Sequence, residues 1–191
     1  MVKLIGVKKV KTAIFISGKG SNLNNLIKFS KNKKSPISID FVVSNKKNAK
    51  GINFAKKNKI DFEIFSFENN SENKILEILY KKKIKLICLA GFMKILTKKF
   101  IKKFDGKIIN IHPSLLPKYK GLNTHKRAID NNEKYSGCTV HYVNAKLDSG
   151  KIILQKKLKI KKNDTPAKLE NRIHKLEYLI YPAAIKRIIS L

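Results

Sequence analysis

The chain has 191 residues, of which 42% are hydrophobic, and this length and composition fit one globular domain with its own core. No stretch approaches the roughly 18 consecutive apolar residues that span a bilayer, so we expect no membrane association. The 43 Lys and Arg residues against 13 Asp and Glu residues give a formal net charge of +30, which makes nucleic acid a candidate partner and favours anionic substrates.

The first hundred residues alternate between short apolar runs and amphipathic segments. The runs are rich in β-branched or aromatic side chains and bounded by turn residues, which predicts strands at 10–16, 37–43, 61–65 and 85–90. The segments between them predict helices at 23–29, 49–57 and 72–82. Because strand–helix alternation builds parallel sheets with right-handed crossovers, we predict a Rossmann-like α/β fold.

The pattern changes in the second half of the chain. An apolar run at 107–109 predicts another strand, and 138–143 and 151–160 predict two more, joined by the short connection 144–150. So short a connection favours an antiparallel hairpin. Thr165-Pro166 suits the start of a final long helix. We therefore predict a single α/β domain over 1–191, with a mostly parallel sheet flanked by helices and an antiparallel C-terminal part.

A glycine-rich turn, Ser17-Gly18-Lys19-Gly20-Ser21-Asn22, follows the first predicted strand. Glycines allow a sharp turn and a close ligand, and free N–H groups at a helix start bind anions. The pattern matches neither the Walker motif nor G-x-G-x-x-G, so a monophosphate fits better than a dinucleotide. We predict phosphate binding by Gly20, Ser21 and Asn22. The alternative is a plain strand-to-helix turn that Ser21 caps.

Asn110 and His112 follow the apolar run 107–109, at the end of a predicted strand. Side chains two residues apart on a strand point to the same face, and the carboxyl edge of an open α/β sheet is where such folds place chemistry. Pro113 and Pro117 stiffen the exit loop. The segment thus predicts a positioned hydrogen-bond donor beside a titratable ring. The alternative is that His112 only satisfies a hydrogen bond at a strand end.

Two further segments complete the candidate site. The loop that follows Leu89-Ala90 is too apolar to be solvated, so its side chains form either core or a wall against an apolar ring ligand. Asp148 lies in the turn between the last two strands, where it is either an ordinary turn former or a carboxylate beside His112. In the second case, we expect it to raise the pKa of His112 and keep the ring protonated near neutral pH.

The remaining histidines and the cysteines predict no metal site. His125, His141 and His174 lack zinc-ligand spacing, and we expect structural roles for them. Cys88 and Cys138 lie in apolar runs and are expected to be buried free thiols. Because the N-terminus also lacks a signal-peptide pattern, we expect a cytoplasmic protein.

Taken in order, these segments resemble the phosphoribosylglycinamide formyltransferase family, which comprises folate-dependent enzymes of purine synthesis. The matching stretches are 16–23, 89–96, 110–119, 121–125, 140–150, 152–155 and 177–182. Each motif is weak alone, but the ordered set is specific and covers nearly the whole chain from about residue 11.

The resemblance implies a formyltransferase fold and transfer of the formyl group of 10-formyltetrahydrofolate to the amine of 5-phosphoribosylglycinamide, without a metal. By matching position, the resemblance assigns catalysis to Asn110, His112 and Asp148. It assigns substrate binding to Gly20, Ser21, Asn22 and Glu177. The residues that it implies contact the folate co-substrate are Met93, Lys94, Ile95, Leu96, Asn110, Asn144, Ala145, Lys146, Leu147 and Asp148. The resemblance also implies a phosphate-binding half, about 11–105, and a catalytic and folate-binding half, about 106–191.

The implied mechanism is a direct attack of the amine on the formyl carbon. Asn110 and protonated His112 would donate hydrogen bonds to the oxyanion that forms, and Asp148 would sustain the charge of the ring.

Three alternatives remain open. Methionyl-tRNA formyltransferases share the formyl-transfer core but add a C-terminal RNA-binding barrel, and formyltetrahydrofolate hydrolases add an N-terminal regulatory domain. A length of 191 residues favours neither. A non-enzymatic basic nucleic-acid-binding protein is disfavoured because the lysines are scattered and the only arginines are Arg127, Arg172 and Arg187. We therefore expect small-molecule substrates, no specific nucleic acid, and a monomer or weak homodimer.

Overall fold

Strands and helices alternate through most of the chain. The computed structural model describes residues 9–66 and 71–190. Up to residue 112 its elements are β1 (Val10–Ile16), α1 (Ser21–Lys31), β2 (Ile37–Ser44), α2 (Ile52–Lys57), β3 (Phe62–Ile64), α3 (Ser71–Lys81), β4 (Leu86–Leu89), α4 (Lys98–Lys103) and β5 (Lys107–His112). The elements that follow are α5 (Thr124–Asp130), β6 (Tyr135–Tyr142), β7 (Ile152–Lys159) and α6 (Pro166–Ile189).

These strands form one seven-stranded sheet in the order β3-β2-β1-β4-β5-β6-β7. The strands from β3 to β5 pair in parallel, whereas β6 pairs antiparallel with both β5 and β7. The predicted α/β fold with a mostly parallel sheet and an antiparallel C-terminal part is confirmed. Because β1, β4 and β5 are parallel neighbours, their carboxyl ends meet at one edge, where open α/β folds bind ligands.

Each face of the sheet has its own apolar core, because side chains alternate between the faces along every strand. Ile14 and Ile16 of β1 pack with buried residues of α1, α2 and α6. Ala13 and Phe15 of the same strand pack with α3 and α4 on the opposite face. Burial on both faces explains why the central strands are nearly continuous apolar runs.

The last helix begins where the sequence predicts. Thr165 has an extended backbone and its side chain accepts the N–H of Lys168, while Pro166 is the first helical residue. Leu169 and Ile173 are fully buried along the stripe that faces the core.

The sequence patterns do not predict α4 and α5. These helices have six and seven residues, and they bury only Phe100 in the first and Thr124 and Ala128 in the second. Segments this short contain too few apolar positions to display a helical period. The other predicted elements are all present, with ends displaced by at most three residues.

Two composition-based expectations can be compared with the structure. Cys88 and Cys138 are buried free thiols, as predicted. Among the described helices, none is long and apolar enough to cross a membrane. Residues 1–8, in which we expect no signal peptide, lie outside the described residues.

Candidate active site

The side chains of His112 and Asp148 meet at the carboxyl edge of the sheet. His112 is the last residue of β5, and its side chain is buried. Asp148 lies in the loop between β6 and β7 with a backbone φ of 44°, in the left-handed region that Asp adopts more readily than most residues. The Nδ1 atom of His112 is 3.4 Å from Oδ2 of Asp148. The structure therefore brings together two of the three predicted catalytic residues.

Two hydrogen-bond donors hold the Asp148 carboxylate. The backbone N–H of Gly121 donates to its Oδ2 over 2.8 Å, and Nδ2 of Asn110 donates to its Oδ1 over 3.4 Å. Burial alone would raise the pKa of Asp148. The proximity of His141 and His112 and the hydrogen bond from Gly121 outweigh burial, so the pKa lies below its ordinary value. The group is therefore a carboxylate at neutral pH.

The orientation of the His112 ring follows from its second nitrogen. Nε2 lies 2.9 Å from the carbonyl oxygen of Tyr119, and because a carbonyl only accepts, Nε2 must carry a proton. Nδ1 is then the nitrogen that faces Asp148.

Asp148 raises the pKa of His112, as predicted, but the prediction that it keeps the ring protonated near neutral pH is wrong. Burial lowers the pKa, and although the Tyr119 carbonyl and the Asp148 carboxylate raise it, the balance lies below the ordinary value of 6.5. Asp148 acts in the predicted direction, but desolvation of the ring is the larger effect.

Asn110 also reaches this cluster, through a residue that the sequence patterns assign to a structural role. Nδ1 of His141 lies 2.8 Å from the Tyr142 carbonyl and must donate to it, which leaves Nε2 as an acceptor. Nδ2 of Asn110 is 3.2 Å from that Nε2, and Oδ1 of Asp148 is 3.7 Å from it. Because β5 and β6 pair with Asn110 opposite His141, register alone would have found this contact once the pairing was known.

A cavity opens directly beside this cluster. Eight of the ten residues predicted to contact the folate co-substrate line it, namely Lys94, Ile95, Leu96, Asn110, Asn144, Lys146, Leu147 and Asp148. Met93 and Ala145 do not line it, whereas Leu89, Phe92, His141 and Val143 do. Ile95 and Leu147 are 68% and 51% exposed, so the cavity has apolar walls that face solvent. Such side chains at a cavity mouth are typical of a ligand site.

The glycine-rich turn lies at the same edge of the sheet, after β1. Gly20 is the N-cap of α1 with φ 75° and no side-chain cap, so the alternative in which Ser21 caps the helix is wrong. A Cβ on Gly20 would lie 2.4 Å from the Cα of Gly51. The turn is therefore packed against the start of α2 and requires glycine. The first N–H groups of α1 are left for an anion or for water.

Asn22 and Glu177 are brought into direct contact. Nδ2 of Asn22 donates to Oε2 of Glu177 over 2.8 Å, and both side chains are buried. Burial raises the pKa of Glu177 to about 7, despite that hydrogen bond. Within residues 9–66 and 71–190, Oδ1 of Asn22 has no hydrogen-bond partner. The Asn22 side chain thus points at α6, and an anion in the turn would meet backbone groups.

Within the described part of the chain, no three His, Cys, Asp or Glu residues are arranged to hold a metal ion. His174 is half-buried beside Glu170 and Glu177, and His125 lies in α5. Burial lowers the pKa of both histidines. The expectation of a reaction without a metal stays a prediction.

The sheet order, the glycine-rich turn and the Asn110, His112 and Asp148 cluster define an α/β enzyme domain, and the chain belongs to the formyl transferase family, whose sequence profile matches residues 10–185. Its relatives include proteins named phosphoribosylglycinamide formyltransferase. It is 46% identical to that enzyme from Haemophilus influenzae over 181 residues, which cover 92% of this chain and 85% of the relative. The resemblance inferred from the sequence motifs is therefore confirmed.

Solved structures give the same relationship. The phosphoribosylglycinamide formyltransferase from Anaplasma phagocytophilum superposes with a TM-score of 0.91 at 39% identity, covering 96% of this chain and 88% of that one. The Brucella melitensis enzyme gives a TM-score of 0.90 at 39% identity, with coverages of 96% and 97%.

Longer proteins also contain this domain. The chain is 40% identical to a segment of the human trifunctional purine biosynthetic protein adenosine-3, and the match covers 96% of the chain but only 19% of that protein.

Proposed function

We propose that the chain transfers the formyl group of 10-formyltetrahydrofolate to the amine of 5-phosphoribosylglycinamide in purine biosynthesis. The observation that carries the proposal is the convergence of Asn110, His112 and Asp148 beside the cavity, at the sheet edge that also carries the glycine-rich turn. The relatives named for this reaction support the choice of substrates.

The reaction needs no covalent intermediate with the protein. The amine nitrogen attacks the formyl carbon, and the carbonyl electron pair moves onto oxygen to give a tetrahedral oxyanion. The bond from that carbon to the folate nitrogen then breaks, the folate nitrogen gains a proton, and the amine loses one. Fixed donors aimed at the oxyanion lower the barrier, and losing one typically costs about 3 kcal/mol.

The two donors are Nδ1 of His112 and Nδ2 of Asn110. Since Nε2 of His112 is held by the Tyr119 carbonyl, only Nδ1 is available to the substrate. Asn110 keeps one amide hydrogen on His141, and the hydrogen that points at Asp148 over 3.4 Å is the one released to the oxyanion. Asp148 raises the protonated fraction of His112 against the effect of burial.

The substrate phosphate binds the backbone N–H groups of Gly20, Ser21 and Asn22. The free oxygen of Asn22 and the carboxyl of Glu177 accept hydrogen bonds from the body of the substrate. The folate co-substrate occupies the cavity, and its ring packs on the exposed apolar walls. In this proposal the half at about 11–105 binds phosphate, the half at about 106–191 carries catalysis and folate binding, and the loop at 91–96 joins the folate site.

The test is an assay of the purified chain with 10-formyltetrahydrofolate and 5-phosphoribosylglycinamide, with His112→Ala as the control. We expect formylated product from the wild type and a loss on the order of 100-fold in the variant. Absence of product, or comparable activity toward charged initiator tRNA, would overturn the proposal. A gel shift with nucleic acid and a steep salt dependence, without formyl transfer, would favour a binding protein.

Three further expectations belong to the same proposal. The enzyme works on small molecules without a specific nucleic acid, it is a monomer or weak homodimer, and it is cytoplasmic. The buried, unpaired state of Cys88 and Cys138 agrees with a reducing compartment. Sedimentation at several protein concentrations tests the oligomeric state.

A further inference from the structure

We infer that Ser17, the first residue of the glycine-rich turn, is a positioning residue for the formyl donor, because its hydroxyl anchors the loop 91–96 to the end of β1. The inference deepens the proposed function and rests on it. Ser17 follows β1 and is 5% exposed. Its Oγ accepts the backbone N–H of Met93 over 2.7 Å and donates to Oδ1 of Asn45 over 2.5 Å. Because the hydroxyl hydrogen of Ser17 is donated to Asn45, a lone pair on its Oγ is directed at the N–H of Met93.

The anchored amide lies in the middle of the cavity wall. Phe92 and Lys94, the neighbours of Met93, both line the cavity. The side chains of Met93 and Ile95 are 59% and 68% exposed, so their packing does little to fix the backbone here. Packing holds the wall on either side of Met93, since the ring of Phe92 lies edge-on against Phe15 and Leu96 is buried, and the hydrogen bond to Ser17 fixes the backbone of Met93 between them.

The glycine-rich turn does not depend on the Ser17 hydroxyl. The carbonyl oxygen of Gly18 accepts the N–H of Gly51 over 3.0 Å, and that of Gly20 accepts the N–H of Asn24 over 2.9 Å. Removal of the hydroxyl leaves these backbone bonds in place. Ser17 should consequently affect the folate side of the site and spare the phosphate side.

The experiment compares both Michaelis constants in Ser17→Ala. Loss of one buried hydrogen bond typically weakens an interaction about fivefold. We expect the KM for 10-formyltetrahydrofolate to rise five- to tenfold, with kcat and the KM for 5-phosphoribosylglycinamide within about twofold of wild type. Calorimetric titration with tetrahydrofolate should show the same weakening without turnover.

Ser44→Ala is the matched control. Ser44 ends the neighbouring strand β2, is 1% exposed, and its hydroxyl donates to the carbonyl and accepts the N–H of Lys46. We expect this variant to leave the folate KM unchanged. Asn45→Ala removes the acceptor that orients the Ser17 hydroxyl, and it should raise the folate KM about threefold in wild type but add nothing to Ser17→Ala. If Ser17→Ala does not fold, Asn45→Ala carries the test.

Several results would overturn the inference. These are an unchanged folate KM in Ser17→Ala, an equal rise in both Michaelis constants, the same effect in Ser44→Ala, or additive effects of the Ser17 and Asn45 variants. A wild-type chain without formyl transfer would instead refute the proposed function. The two failures are therefore distinguishable.

Discussion

The Asp148 carboxylate lies 3.4 Å from Nδ1 of His112, and its Oδ2 atom is held independently by the N–H of Gly121 over 2.8 Å. The carboxylate therefore stays in place whether or not the ring is protonated. Burial and Asp148 act on the ring in opposite directions, and the pKa of His112 ends below its ordinary value. In this site, Asp148 limits the lowering of the His112 pKa that burial causes.

Asp148→Asn should lower turnover without weakening substrate binding. Removing the negative charge removes one effect that raises the pKa of His112, so the pKa falls further and less of the donor form exists at pH 7. We expect kcat to fall on the order of 100-fold, with both KM values within about threefold. The limb of the kcat profile that reports His112 should move to lower pH.

Asp130→Asn is the control for that variant, since Asp130 is 51% exposed and pairs with Lys126 on the surface of α5. Its pH profile should match the wild type. An unchanged profile in Asp148→Asn would refute the coupling between the carboxylate and the ring.

His141→Ala should loosen the side chain of Asn110. Nε2 of His141 accepts one amide hydrogen of Asn110 over 3.2 Å, and without it the carboxamide is held by the longer 3.4 Å contact with Asp148. We expect a fall in kcat of about tenfold, in keeping with one lost hydrogen bond to a catalytic donor. Steady-state kinetics of His141→Ala, Asn110→Ala and the double variant form the check. A further fall when His141→Ala is added to Asn110→Ala would contradict this role.

Long apolar periodicities predict the fold well, because parallel strands and α6 bury many side chains in a regular order. The alignment of Asn110 and His112 was also predictable, since they share a face of β5 by period two. The contact between His141 and Asn110 was not predictable, because it depends on the antiparallel register between β5 and β6. The net pKa of His112 was not predictable either, because the degree of burial of the ring is a tertiary property.

Glu177→Gln should stabilise the protein at high pH. The pKa of Glu177 is raised from 4.5 to about 7, so the unfolded chain gives up this proton at a lower pH than the folded one. Stability is thus lost as pH rises from about 4.5 to 7 and stays low above that range. A tenfold difference in proton affinity is worth about 1.4 kcal/mol, which makes the penalty on the order of 3 kcal/mol at pH 8.

Urea unfolding at two pH values measures this effect. We expect Glu177→Gln to raise the free energy of unfolding by about 2–3 kcal/mol at pH 8 and to change it little near pH 4.5. Glu170 lies on the same helix but is 44% exposed, so Glu170→Gln should change the free energy of unfolding by about 0.5 kcal/mol or less at both pH values. An equal gain at both pH values would contradict the assignment of the penalty to ionised Glu177.

Gly20→Ala should damage the phosphate side of the site specifically. Gly20 has φ 75°, where an L side chain is strained, and a Cβ there would lie 2.4 Å from the Cα of Gly51. Because that neighbour is backbone, the start of α1 must shift, which displaces the N–H groups that are proposed to bind the phosphate. We expect the KM for 5-phosphoribosylglycinamide to rise about tenfold or more, with a smaller change for the folate.

Gly18→Ala is the steric control in the same turn. A Cβ on Gly18 would meet nothing within 4 Å, so this variant should keep both Michaelis constants near wild type. Inorganic phosphate as a competitive inhibitor gives an independent measure, and its inhibition constant should rise in Gly20→Ala alone. If Gly18→Ala raised both constants as much as Gly20→Ala, the backbone contact with Gly51 would not be what shapes the anion site.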